Sequence, residues 1–239
     1  MATYRGRAVQ RIVILTGAGV SAESGLATFR DSGGLWEKHD PMDIATPEAF
    51  ARDPGLVYRF YNARRQQLAE VAPNPAHDAL ARLQREFDGE VFLVTQNVDD
   101  LHERGGSVQV CHMHGELSSH LCQACGQRMA AKGDIDADSD CRLCNARGQM
   151  RPDIVWFGEI PYHMERIAIE LARCDVFIAV GTSGVVYPAA GFVREALHAG
   201  AATIEVNREV SEVTGLFAEQ RQGDASVTVP ALVTELLAG

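Results

Sequence analysis

The chain has 239 residues, 46% of them hydrophobic and 23% charged, which suffices for a sizeable core and excludes a disordered chain. The formal net charge of −10 argues against a phosphate backbone as the main partner. No apolar run approaches the roughly 20 residues of a membrane span, and the opening Met-Ala-Thr-Tyr-Arg-Gly-Arg lacks the apolar core of a signal peptide. A cytoplasmic monomer without membrane or nucleic-acid partners is therefore expected.

Arg11 to Thr16 is a short apolar run rich in β-branched residues and reads as a buried strand. Gly17-Ala18-Gly19-Val20-Ser21-Ala22 follows it directly and fits G-x-G-x-x-G/A with Ala22 in the last place. Such glycines allow a tight turn and close backbone approach to a pyrophosphate at the next helix N-terminus. A turn of this kind also occurs without a ligand, so its context matters. About 20 residues on, a dehydrogenase needs a strand ending in an acidic residue. This chain instead has a polar loop, Ala27 to Trp36, which argues against hydride transfer.

Thr46-Pro47, Asp53-Pro54 and Asn74-Pro75 are helix starts, with proline at the first helical position. They predict helices over Gly55 to Val71 and from Pro75 to about Phe87. Val91 to Thr95 and Val108 to Cys111 read as the second and third strands. Val176 to Val180 is a fourth, ending at Gly181-Thr182-Ser183. Pro188 is expected to start a helix that stops near Gly200. Thr203 to Val206 is a fifth strand, Val227 to Val229 a sixth, and a last helix covers Pro230 to Leu237. Alternating strands and helices predict an α/β fold, a parallel sheet with helices on both faces and ligands at the strands' carboxyl ends.

Cys122-x2-Cys125 and Cys141-x2-Cys144, fifteen residues apart, are the spacing of a four-thiolate zinc site. Four sulfur ligands leave no open position, so one structural ion is expected. The aspartate-rich linker Gly133 to Asp140 is not a calcium loop. Ser139 stands where glycine is needed and Asn145 where glutamate is needed.

Gln96-Asn97-Val98-Asp99 closes the second strand, and His112-Met113-His114-Gly115 follows the third, so both project to one sheet edge. Asn97 and Asp99 can hydrogen-bond a carboxamide, and His114 suits a general base near neutral pH. As isolated residues they read first as helix caps and a structural histidine; their convergence with the glycine turn and cysteine pairs favours a site.

With Thr28-Phe29-Arg30 and Val155-Trp156-Phe157-Gly158-Glu159, these segments resemble the sirtuin family, in order from about residue 11 to the end. The bacterial and desuccinylase-type members are the most similar in pattern. The resemblance implies a Rossmann-like domain (about 8–35, 88–114 and 152–239), an inserted helical segment (about 36–87) and a zinc module (about 115–151). It implies NAD as cofactor and acylated lysine in proteins or peptides as substrate. Gly17, Ala18, Gly19, Ala22, Phe29, Arg30, Trp36, Gln96, Asn97, Val98, Asp99, Gly181, Thr182, Ser183, Asn207 and Ala225 would hold NAD. Val155, Trp156, Phe157 and Gly158 would pair with the substrate backbone as an added strand. The acyl oxygen would attack C1′ of the nicotinamide ribose, and His114, with Asn97 and Asp99, would carry the catalysis. The products would be nicotinamide, free lysine and 2′-O-acyl-ADP-ribose.

Tyr61 and Arg64, three apart on a predicted helix, share a face. The pair resembles the acyl-carboxylate signature of desuccinylase-type members, implying succinyl or malonyl as well as acetyl substrates. Two rivals stand. An NAD-dependent protein ADP-ribosyltransferase would not need the Tyr61–Arg64 pair. A zinc-binding interaction module would not need the glycine turn or His114.

Overall fold

The computed structural model describes residues 3–26 and 40–239. A short hairpin, β1 (Thr3–Tyr4) and β2 (Arg7–Ala8), leads into β3 (Arg11–Thr16) and a one-turn helix α1 (Gly19–Ala22). Four helices follow: α2 (Pro41–Ile44), α3 (Pro47–Arg52), α4 (Pro54–Leu68) and α5 (Pro75–Glu86). All start the same way. Asp40, Thr46, Asp53 and Asn74 accept a first-turn backbone N–H with their side chains, and proline occupies the first turn. The proline loses no bond there, because that N–H has no helical partner.

The chain continues through β4 (Glu90–Thr95), α6 (Leu101–Arg104), β5 (Val110–His112), β6 (Gly115–Cys122), β7 (Arg128–Ala130) and β8 (Met150–Ile154). It closes with α7 (Met164–Leu171), β9 (Val176–Val180), α8 (Phe192–His198), β10 (Ala202–Asn207), β11 (Glu219–Gln222) and α9 (Ala225–Ala238).

The larger sheet has the order β11-β10-β9-β3-β4-β5, every neighbouring pair parallel. This is the doubly wound order of dinucleotide-binding folds, with its reversal between β3 and β9. Alternation along β3 assigns the two faces. Ile12 and Ile14 pack with α5 and α9, whereas Val13 and Leu15 pack with α7 and α8. The smaller sheet is antiparallel, β7-β6-β8, and carries the cysteines at its far end. Leu117 and Ile154 of this sheet share a core with Ile44, Val57 and Tyr61 of the helical segment.

Three sequence-based expectations shift. Val227 to Val229 is not a strand but lies in α9. Its β-branched residues suggest extension, yet Val229, Leu232, Val233 and Leu236 are buried at helical spacing against the sheet. The sixth strand is Glu219–Gln222, which pairs with β10 through backbone bonds and has no apolar residue to announce it. The segment after Pro188 begins as a 3₁₀ turn over Ala189–Gly191 before α8. No helix among the described residues is long and apolar enough to cross a membrane.

Candidate active site

The turns after β3 and β9 meet at the switch point. Gly17 N–H donates to Val180 O at 2.9 Å, and Gly19 N–H to Gly181 O at 2.8 Å. A Cβ on Gly19 would lie 2.7 Å from the Gly181 Cα. One on Gly181, which has φ +62°, would lie 2.4 Å from the Val20 nitrogen. Only glycine lets the two backbones touch. Gln96 Nε2 donates to Thr182 Oγ1 at 3.0 Å, and Asn207 Nδ2 to Thr182 O at 2.7 Å. Glu23, just after Ala22, accepts from the Ser226 N–H at 3.0 Å, bringing Ala22 and Ala225 into one neighbourhood. Ser183 is exposed beside this cradle. Phe29, Arg30 and Trp36 lie outside the described residues.

A buried polar chain runs beneath. Asn97 and Asp99 are both buried. Asn97 Nδ2 donates to Ser21 Oγ at 3.1 Å, and Ser21 donates to Asp99 Oδ2 at 3.0 Å. His77 Nδ1 accepts the Asn74 N–H at 3.2 Å, which leaves its proton on Nε2, 3.4 Å from Ser21 Oγ. Burial pushes His77 down to about 4, so it is neutral at pH 7. Burial raises the Asp99 carboxyl, while the Leu101 N–H and Ser21 hydroxyl oppose that rise. Ser21 and His77 were not singled out as site residues from sequence. Ser21 sits inside the glycine motif, and His77 follows the Asn-Pro helix start, so both read there as scaffold.

His114 hangs from the same edge. Its Nδ1–H donates to Gln96 O at 3.1 Å, leaving the Nε2 lone pair unprotonated. Burial lowers its pKa, so the base form persists below the usual imidazole range. Two residues earlier, His112 has the opposite character. Burial works against its charge, but Glu103 at 2.8 Å overrides this and raises it. Its other nitrogen lies 3.3 Å from the Asn97 carbonyl, so the ion pair braces the Asn97 backbone. Val98 O accepts from Leu117 N at 2.8 Å, joining this loop to the smaller sheet.

Tyr61 and Arg64 do share a face of α4. Tyr61 is buried, and its hydroxyl accepts from Trp156 Nε1 at 3.2 Å. Burial raises its phenol and lowers the Arg64 guanidinium, which Asp99 and Tyr61 pull partly back. Among the described residues Arg64 has no ion pair and donates only to Gln67 Oε1, at 3.4 Å. Trp156 is clamped by Arg151, stacked 3.4 Å over its ring, and Arg151 is gripped bidentately by Glu159 at 2.7 and 2.9 Å. Neither partner was singled out from sequence as a site residue. The backbone N–H groups of Val155, Trp156 and Phe157 already donate to His114 O, Glu159 and Ala45 O. Gly158 is exposed, with φ +90°.

The four cysteine sulfurs lie within 4.8 Å of one another, with Cys122···Cys144 at 3.7 Å and Cys125···Cys141 at 3.9 Å. A tetrahedron with Zn–S bonds of 2.3 Å has edges of about 3.8 Å. Two of the cluster's six edges are at that length and the others lie within 4.8 Å, so the set fits zinc, and four closed sulfur ligands fit a structural ion.

The profile of the Sir2 family matches residues 17–188. A curated NAD-dependent protein deacylase from Vibrio vulnificus is 55% identical over 231 residues, covering 96% of this chain and 94% of that protein. A Sir2 homologue mutant in complex with 2′-O-acetyl-ADP-ribose superposes with a TM-score of 0.87 at 38% identity, covering 95% of this chain and 92% of that one. A Sir2 structure with a p53 peptide and NAD+ gives 0.80 at 27% identity, covering 95% and 93%.

Proposed function

This chain belongs to the Sir2 family, and from that premise we propose that it is an NAD-dependent protein-lysine deacylase that removes acetyl and acidic acyl groups. One observation carries the reading. The glycine cradle, the Asn97–Ser21–Asp99 chain and the fixed Nε2 lone pair of His114 gather at the carboxyl ends of β3, β4, β5 and β9.

The donor set suits a dinucleotide. Gly17, Ala18, Gly19, Thr182, Ser183, Asn207 and Ala225 would hold the ADP-ribose half. Gln96, Asn97, Val98 and Asp99 would hold the nicotinamide ribose and its carboxamide. When bound, NAD would supply an electrophilic ribose carbon for the acyl oxygen, with nicotinamide as the leaving group. His114 Nε2 would take a proton from a ribose hydroxyl, and the Gln96 carbonyl on Nδ1 keeps it in the accepting tautomer. A substrate strand along Val155 to Gly158 would pair through carbonyl oxygens and Gly158, since the preceding N–H groups are committed. Cysteine pairs spent on a metal cluster suit a reducing compartment such as the cytoplasm.

The acidic-acyl part rests on Arg64, a half-buried guanidinium without an ion pair among the described residues. A carboxylate placed there gains a charge-assisted bond, and the Tyr61 hydroxyl can add a second. Removing one side of such a buried pair costs about 2–5 kcal/mol. Arg64→Met should therefore lower kcat/KM for a succinyl-lysine peptide far more than for its acetyl-lysine counterpart. Tyr61→Phe should act in the same direction but more weakly. Equal losses on both peptides would leave a general deacetylase.

A further inference from the structure

Helix α4 carries two working faces about a quarter-turn apart. Tyr61 and Arg64 form one. The other, Tyr58, Asn62, Arg65 and Gln66, is bonded throughout to the cysteine-bearing module. Tyr58 donates to Met150 O at 2.8 Å. Asn62 is matched to the Ile135 backbone in both directions: Nδ2 donates to Ile135 O at 2.9 Å, and Oδ1 accepts Ile135 N–H at 3.3 Å. Arg65 donates to Asp134 at 3.0 Å and lies 3.2 Å from His120 Nε2. It also donates to Asn62 Oδ1 at 2.7 Å, which orients that amide. Gln66 donates to the second Asp134 oxygen at 2.9 Å. Ile135 is buried against Cys122, Cys141, Met150 and Tyr58.

Asp134 and Ile135 belong to the linker between the two cysteine pairs. Read from sequence it is only an aspartate-rich linker; here it is the abutment of α4. Asn62 is adjacent to Tyr61, and Arg65 to Arg64, so any slip of this face moves the other by the same amount. We infer that the Asp134–Ile135 segment of the cysteine module is a positioning brace for the acyl-reading helix, with Asn62 as its keystone. This rests on the proposed role of Arg64. The cysteine module then contributes to substrate choice as well as to stability. Acetyl-lysine has no carboxylate to align and is insensitive to the brace. Succinyl-lysine needs two donors within a fraction of an ångström, and an error of about 1 Å can cost on the order of a hundredfold.

The test measures kcat/KM for acetyl- and succinyl-lysine peptides of one sequence, with zinc content and melting temperature, in the parent, Asn62→Ala, Asp134→Ala and Arg64→Met proteins. Asn62→Ala should lower the succinyl-to-acetyl ratio about tenfold by partial misplacement. Asp134→Ala should do so less, and both should keep their zinc. If Arg64→Met lowers the ratio but the two brace variants leave it unchanged, the brace is overturned and the acyl reading stands. If Arg64→Met leaves the ratio unchanged, the acyl reading fails and the brace falls with it. Should Asn62→Ala not fold, Asp134→Ala decides, since its side chain is 52% exposed and tolerates removal.

Discussion

His114 shows how much one hydrogen bond settles. A buried histidine has two possible neutral tautomers, and only one leaves Nε2 unprotonated. The Gln96 carbonyl at 3.1 Å selects it. His114→Ala should lower deacylation by about 10²–10⁴-fold, the range for a general base, while far-UV circular dichroism stays unchanged. Nicotinamide exchange should persist better than product formation, because loss of nicotinamide precedes the proton transfer. Near-normal turnover in a folded variant would assign His114 another role. Its pKa is lowered by burial, so the neutral base survives mild acid. The acid limb of kcat/KM should fall below the free-imidazole value of about 6.5. A limb above it would mean that a different group is the base.

Among the elements, the switch-point turns leave no room for an added side chain. Gly181→Ala combines a left-handed backbone, costing about 1–2 kcal/mol for a non-glycine residue, with a Cβ 2.4 Å from the Val20 nitrogen. Its melting temperature should fall and its NAD affinity should weaken together. An unchanged NAD Kd would separate this turn from the cofactor. The cysteine module should bind one zinc, and Cys144→Ser should lose both the metal and the order of the smaller sheet, because metal binding and folding are coupled in such sites. Metal analysis checks this, and a zinc-free protein with full activity would refute it.

These same elements mark what the sequence made legible. Buried strands β3, β4, β9 and β10 are apolar runs followed by polar or glycine turns, so their burial on two faces is written in composition. The edge strand β11 is Glu-Gln-Arg-Gln, and its place is set by backbone pairing with β10 and by the Arg221–Glu235 ion pair to α9. No local pattern encodes that. Val227 to Val229 misleads for the reverse reason, since packing on α5 and β10 overrides β-branched propensity. Cysteine spacing pointed to the four-sulfur cluster, and motif order singled out Asn97, Asp99 and His114, which the fold brings to one sheet edge. Ser21 and His77 act through contacts 56 and 78 residues apart, which a linear reading does not join. The brace beneath α4 is hidden likewise, because Asn62 and Ile135 are 73 residues apart.

Across the whole molecule, several histidines are buried neutral. Burial pushes His77 to about 4 and His102 well below the usual value. His120 is pushed to about 4 by burial and by Arg65. In the unfolded chain each titrates near 6.5. As pH falls below that value, the unfolded state takes up protons that the folded state refuses. Stability should therefore decline from about pH 6.5 towards 4, by at most about 1.4 kcal/mol per pH unit for each histidine. Melting temperatures across this range check it, and His77→Gln should flatten the profile; a flat parent profile would contradict the neutral assignments.

At the scale of the whole molecule, the sheet edge proposed to hold the dinucleotide is also proposed to receive the acyl group. The most direct measurement incubates the zinc-loaded protein with NAD and an acetyl-lysine peptide and reads all products by mass. The expected result is deacylated peptide, nicotinamide and acyl-ADP-ribose in equal amounts, with no product when NAD is omitted. Peptide or protein carrying ADP-ribose, with its acetyl group intact, would contradict the account and identify an ADP-ribosyltransferase instead.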